Sequence, residues 1–230
     1  MSKIHFDESS GYVCVSFSSQ EMKEIEVAAV RRHQSQRLAN RFDWKAKKDG
    51  DGVGNDLVGL LGEVAVRDAC GYQAHDHVSV LSIPEWDAMR RERCITDVGG
   101  FEVRSVPRAP NDGRLSGGRT SLIVKHDKDK GKQDVVFILA IVTVLDREPI
   151  KLDPRVSLVG WAYGFEAMDK KYWRDQSENA DRANYFMPLE DLRPIRTLYG
   201  NGPLGGERPK TPFELDAEMS ESLDFSAFDE

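Results

Sequence analysis

Residues 93–105 read RCITDVGGFEVRS, and the fold turns on how that run is paired. Gly99-Gly100 suits a two-residue hairpin turn, because glycine accepts positive φ without strain. With that turn, Val98 faces Phe101, Asp97 faces Glu102, Thr96 faces Val103, Ile95 faces Arg104 and Cys94 faces Ser105. Side chains alternate with period two, so Asp97, Glu102, Arg104 and Ile95 leave one side of the ribbon. Val98, Phe101 and Val103 make the other side largely apolar. Directly opposed carboxylates lie about 5 Å apart at Cβ. Two full charges at that distance repel by roughly 3 kcal/mol at an effective dielectric near 20. One arginine offsets part of this, and a divalent cation offsets more. Carboxylates are what Mg2+ or Mn2+ selects. The alternative reading is an exposed hairpin whose acids stand in water, where the repulsion is screened.

Upstream, NDLVGLLGEVAVRDACG (55–71) is the clearest helix in the chain. Asn55 or Asp56 can cap it and Gly71 can end it. Leu57, Leu60, Leu61, Val64 and Ala65 form its buried face, with Glu63 on the flank. A glutamate held among packed apolar groups requires a cation or a route to solvent. Earlier still, IHF and GYVCVSF read as an N-terminal hairpin. Ser18 and Glu21 form a capping box for a helix running to about Trp44. Arg31, Arg32, Arg37 and Arg41 crowd its later turns, as a solvated face or as a phosphate-contacting one. KKDGDGVGND (47–56) reads as a flexible loop without the glutamate of a calcium site.

Downstream, FEVRSV (101–106), TSLIVK (120–125), the apolar DVVFILAIVTV (134–144) and VSLVGWAYG (156–164) are strand-like, the third as a central strand. FEAMDKKYWRDQ reads as polar and helical, and ANYFMPLEDLRPI as an irregular closing segment. The pattern gives one α/β (α+β) domain over residues 1–200, a linker at 201–213 and an acidic tail at 214–230.

Composition narrows the function classes. The chain has 230 residues, 40% hydrophobic and 31% charged, which is ordinary for a globular domain. No apolar run reaches the roughly 18–20 residues of a membrane span, and the N-terminus lacks the apolar core of a signal peptide. Cys14, Cys70 and Cys94 lack framework spacing and fit a reducing cytoplasm. The net charge of −7 is carried by Glu214, Asp216, Glu218, Glu221, Asp224, Asp229 and Glu230, which leaves residues 1–213 neutral. Nucleic-acid binding would therefore need local Lys/Arg patches. Cys70, His75, His77 and Cys94 match no common zinc spacing. The tryptophans read as packing residues, and His126 as a surface residue.

A helical glutamate, then Asp97, then Glu102-Val-Arg104 on a strand, then Leu-Ile-Val-Lys125 on the next, resembles the PD-(D/E)XK nuclease superfamily over roughly residues 55–145. VSLVGWAYGFEA and YFMPLEDLRP are similar to uncharacterised, often phage-encoded members with an EVR-type motif strand. The resemblance implies a restriction-endonuclease-like core in the order helix, strand, strand, strand. It implies a DNA phosphodiesterase using Mg2+ (or Mn2+), with Glu63, Asp97 and Glu102 as metal ligands. Arg104 stands where the family usually has lysine; its planar fork suits phosphate oxygens and it does not give up a proton. Lys125 is then expected to supply the ammonium, with Arg119 as a further cation and Ser121 as a weaker phosphate contact. The short interval between Asp97 and Glu102 also departs from the family's commoner spacing. Two other readings stay open: a catalytically silent nuclease-like domain that binds nucleic acid or a protein partner, and an unrelated α/β protein. The tail, with Phe225 and Phe228 among acids, is a solubilising segment, a peptide for a basic groove on a protein partner, or a cover for the chain's own DNA cleft.

Overall fold

The computed structural model describes residues 2–38, 52–71, 96–98, 100–110, 120–147, 150–174 and 184–198. It is a mixed α/β structure with a mixed main sheet. The N-terminal hairpin forms as expected. Strands β1 (Lys3–Asp7) and β2 (Tyr12–Ser16) pair antiparallel around a turn in which Gly11 has φ 75°. Helix α1 spans Ser19–Leu38. Its capping box is present: the Ser18 amide and hydroxyl donate to Glu21 Oε2 at 2.9 and 2.7 Å, and the Glu21 amide donates to Ser18 Oγ at 3.3 Å. Residues 39–44, where that helix was expected to continue, lie outside the described residues.

Helix α2 covers Gly52–Cys70, and Gly71 (φ 68°) ends it in the left-handed conformation. It starts three residues earlier than the capping chemistry of Asn55 suggested, so Asn55 and Asp56 lie inside the helix. Asp56 has a tertiary partner instead, with its Oδ2 3.0 Å from His33 Nδ1 of α1.

The main sheet runs β1-β2-β6-β5-β3, with β9 (Arg193–Pro194) also paired to β6. Strand β3 is Phe101–Arg108, β5 is Val136–Arg147 and β6 is Ile150–Tyr163. β3 and β5 are parallel, while the other pairs are antiparallel. β6 holds the centre, and β5 is an interior strand between β6 and β3, buried on both faces as its unbroken apolar run suggested. Its alternate residues Val136, Ile138, Ala140 and Val142 pack under α2. Phe137 and Leu139 face the opposite way. α2 meets the sheet with the face read from its periodicity: Leu57, Leu60, Leu61, Val64 and Ala65 are all buried.

The opposite side of the sheet carries a second, three-stranded antiparallel sheet, β4-β8-β7. β4 (Ser121–Lys125) is a strand, as expected, but it belongs to this layer rather than to the main sheet. A four-residue helix α3 (His126–Asp129) follows it directly. The stretch read as a polar helix is instead a short turn of helix α4 (Gly164–Ala167), a 3-10 turn at Lys170–Tyr172 and strand β7 (Trp173–Arg174). The segment read as irregular contains β8 (Asn184–Pro188) and β9. Both differences arise from pairing with distant strands, which local propensity does not report. Leu122, Val124, Ala162, Ala167, Tyr172 and Met187 close the second core over Phe137 and Leu139. No helix among the described residues is long and apolar enough to cross a membrane. The linker and acidic tail at 201–230 lie outside the described residues.

Candidate functional site

The hairpin of residues 96–103 is shorter than the sequence implied. Val98 and Phe101 pair through two hydrogen bonds of 3.0 and 2.6 Å, but this is an isolated bridge. The ladder does not continue to Asp97 and Glu102, and Thr96–Val98 is not a strand. The reason is visible in the donor that the ladder would have used. The Val103 N–H donates to Asp97 Oδ2 at 2.9 Å, so a side chain takes the place of the next backbone pairing. β3 ends the main-sheet order among the described residues, and Val103 is therefore an edge donor that Asp97 covers. Gly100, with φ 96°, turns the chain, and its N–H donates to Thr96 Oγ1 at 3.0 Å.

Asp97 consequently stands at the rim of the sheet, between its two faces. On the helix side lies Glu63 of α2, 5% exposed. On the second-sheet side lies Glu102, equally buried, which leaves β3 on the face opposite Val103 and Ser105. Ser105 turns toward α2, where its hydroxyl donates to the Gly59 carbonyl at 3.3 Å, as the alternation had placed it.

Each acid has a cation. Arg32 Nη1 of α1 donates to both oxygens of Glu63, at 2.8 and 3.0 Å. Arg104 donates from Nη1 to Glu102 Oε1 at 2.8 Å and from Nη2 to Asp129 Oδ1 at 2.6 Å. Its Nε donates to the Ile123 carbonyl at 3.2 Å, and its guanidinium lies 5.2 Å from the centre of the Phe137 ring. Lys132 Nζ donates to Glu102 Oε2 at 2.7 Å. Asp97 is the least served: Arg104 Nη1 is 3.9 Å from its Oδ2, and 27% of its side chain remains accessible.

The electrostatics follow from this placement. Burial, then the Glu63 and Glu102 charges, push the Asp97 carboxyl up to about 7, against the opposing pull of Arg104 and the Val103 N–H. Glu63 raises the Arg32 pKa by more than burial lowers it. Burial works against the Arg104 charge, but Glu102, Asp129 and Asp97 outweigh it and hold its pKa above the ordinary guanidinium value.

Arg104 thus touches Glu102 and lies 3.9 Å from Asp97, while Glu63, paired with Arg32 on the helix side, acts on Asp97 through its charge. Lys125 is exposed at the end of β4, and its backbone N–H donates to Asp129 Oδ2 at 2.7 Å. Arg119, His75, His77 and Cys94 lie outside the described residues. Ser121 begins β4. His126 is exposed and packs edge-on against Trp173, with ring centres 5.1 Å apart.

Arg32, read from the sequence as part of a solvated or phosphate-contacting arginine face, instead pairs with Glu63, and Asp129 and Lys132 were not singled out. Arg32 had a signal, since it follows Ile25 and Ala29 at i+7 and i+3, on the face of α1 that is buried. Asp129 and Lys132 lie in KHDKDKGK (125–132), which reads as a solvated charge run. Nothing local marks Asp129 as 2% exposed beneath Arg104.

The donor chemistry suits Mg2+ or Mn2+, since three carboxylates offer hard oxygen ligands. In the present arrangement protein cations occupy Glu63 and Glu102. Among the described residues no group of three or more His, Cys, Asp or Glu side chains is gathered closely enough to hold a metal ion. Asp97 is the carboxylate with coordination capacity to offer, because its hydrogen bond and its nearest guanidinium both fall on Oδ2. No protein-family model, curated protein or solved structure matches this chain.

Proposed function

We propose that this chain hydrolyses DNA phosphodiester bonds with Mg2+ or Mn2+, on a core of restriction-endonuclease type. The observation that carries the reading is the placement of Asp97 at the β3 edge, bonded to the Val103 N–H and 3.9 Å from Arg104, where burial and the charges of Glu63 and Glu102 raise its pKa to about 7. Beside it stand two cations of different character, Arg104 and Lys132. Such a locus attracts a hard cation, and its neighbouring donors attract phosphate. Of the expected core, the mixed α/β class is met; β4, which follows β3 in the chain, lies in the second sheet rather than beside it.

Asp97 would offer an ion its first ligand, and Glu63 and Glu102 would join it only on leaving Arg32, Arg104 and Lys132. The ion would supply Lewis-acid polarisation of a phosphoryl oxygen and a water of lowered pKa. The remaining roles belong to the chain. Arg104 keeps its charge throughout and presents a planar fork for phosphoryl oxygens. Lys132, rather than the exposed Lys125, brings an ammonium to Glu102 and so fills the role that the resemblance gives to lysine. Asp129 holds Arg104 Nη2 and the Lys125 amide together, which orients the guanidinium toward Glu102.

The test is incubation with linear, circular and single-stranded DNA plus Mg2+ or Mn2+, beside Asp97→Ala. Metal-dependent cleavage that the substitution abolishes is the expected result. A second reading, a catalytically silent nuclease-like domain that binds nucleic acid or a protein partner, is favoured by one observation. Arg32, Arg104 and Lys132 already neutralise Glu63 and Glu102 from within. DNA retention without cleavage under either metal would decide for it.

A further inference from the structure

We propose that the outer face of the β4-β8-β7 sheet and the α3 turn form a track for a nucleic-acid backbone leading to the carboxylate rim, held through phosphates and independent of base sequence. That the track leads to a hydrolytic site rests on the function proposed above; the binding surface does not.

The register places the cations. Lys125 of β4 is directly opposite Asn184 of β8, and Asn184 is opposite Arg174 of β7. Directly opposed residues of antiparallel strands project from one face. The adjacent row in the register, Val124, Tyr185 and Trp173, projects the other way, and Val124 is fully buried in the second core. Lys125 and Arg174 therefore share the outer face, two strand spacings or roughly 10 Å apart. Both are exposed.

From Lys125 the chain continues as KHDKDKGK, and the structure places the charges of Lys128, Asp129, Lys130 and Lys132. Lys128 and Lys130 are exposed. Asp129, between them in sequence, turns inward to Arg104 Nη2 and the Lys125 amide. Its charge is thus neutralised inside, and Lys128 and Lys130 are left facing solvent. Gly131 (φ 91°) reverses the chain, and Lys132 then reaches Glu102. Exposed cations and a cation in contact with the candidate site accordingly follow one another along eight residues. In a chain body with no net charge, this is the local concentration of lysine that phosphate binding requires.

The nearby rings give no sign of base stacking. Trp173 packs edge-on against both His126 and Tyr185, with ring centres 5.1 and 4.9 Å apart. They are committed to each other; on the outer face itself the half-buried Phe186 stands beside the cations, which grip phosphates without selecting bases.

The experiment is binding of labelled, mixed-sequence DNA duplexes in chelator over a series of salt concentrations. Lys125→Gln/Lys128→Gln/Lys130→Gln should flatten the dependence of log K on log salt by roughly 2–3, near 0.9 for each lost phosphate contact. The corresponding triple arginine variant should restore it, and Arg174→Gln alone should flatten it by about 1. Duplexes of unrelated sequence should bind alike. An unchanged slope in the glutamine variant, or binding confined to one sequence, overturns the track. So does uptake of a peptide with the sequence of residues 214–230 in place of DNA. Metal-dependent cleavage undiminished by the lysine substitutions sinks the track and leaves the hydrolase. Lysine-dependent binding without cleavage does the reverse. A wild-type chain that neither binds nor cuts DNA sinks both.

Discussion

At the scale of single residues, the rim of β3 is held by charges that cannot be removed one at a time. Arg32→Ala would leave Glu63 buried without its guanidinium, and truncating one partner of a buried pair costs about 3–5 kcal/mol. Denaturant unfolding of the variant should show a loss of that order, and a loss below 1 kcal/mol would contradict the pairing. Asp97 sets a pH dependence with a definite sign. Its folded-state pKa, about 7, lies above its ordinary 3.8, so the folded chain binds the extra proton between those values. Stability attributable to this group is therefore full below about pH 4 and falls by a few kcal/mol as pH rises to 7. Asp97→Asn keeps an oxygen for the Val103 N–H but carries no charge. Thermal scans should find its pH slope flattened in that window, with the variant more stable than wild type at pH 8. The Glu102–Arg104 contact was legible in the sequence because alternation places both on one face. The Glu63 partnership of Arg32 and the roles of Asp129 and Lys132 were not, since each arises only when a distant element closes over the residue.

At the scale of elements, the helix-to-sheet contact depends on one absent side chain. A Cβ added at Gly62 would land on Ser105 Oγ and stand 3.2 Å from both Ser105 Cβ and Ala140 Cβ. Gly62→Ala should push α2, and Glu63 with it, off β3. The expected cost is about 1–3 kcal/mol, as for other overpacked cores, and Ser105→Gly in the same chain should recover part of it. Equal stabilities of wild type and Gly62→Ala would refute that contact. The sequence displayed α2 and β5 clearly, because a 3.6-residue apolar stripe and an unbroken apolar run need no partner to be recognised. The 93–105 ribbon was half legible. Its turn and the Val98–Phe101 pair form, but Asp97 bonds the Val103 amide with its side chain where a backbone carbonyl was expected. Local side-chain bonding of this kind competes with ladders and leaves no periodic trace. β7, β8 and β9 were missed for a related reason, being strands of two to five residues defined by their neighbours.

At the scale of the whole molecule, the main sheet separates two apolar cores, and the site sits where they meet at the β3 edge. Phe137 belongs to the second core and lies beneath the Arg104 guanidinium. Phe137→Ala should cost about 3–5 kcal/mol in unfolding free energy, and should also loosen Arg104 from Glu102. Phe137→Leu, which keeps volume without the ring, separates these effects by restoring stability more than any Arg104-dependent activity. The central claim is that acids from α2 and the β3 edge converge so that a divalent cation relieves their repulsion. Calorimetric titration of Mn2+ into the chain between pH 5.5 and pH 8, beside Asp97→Asn, tests it most directly. The account predicts saturable uptake that strengthens toward pH 8 with release of a proton, and that is lost in the variant. Absence of binding at pH 8, or binding undiminished by Asp97→Asn, would contradict it.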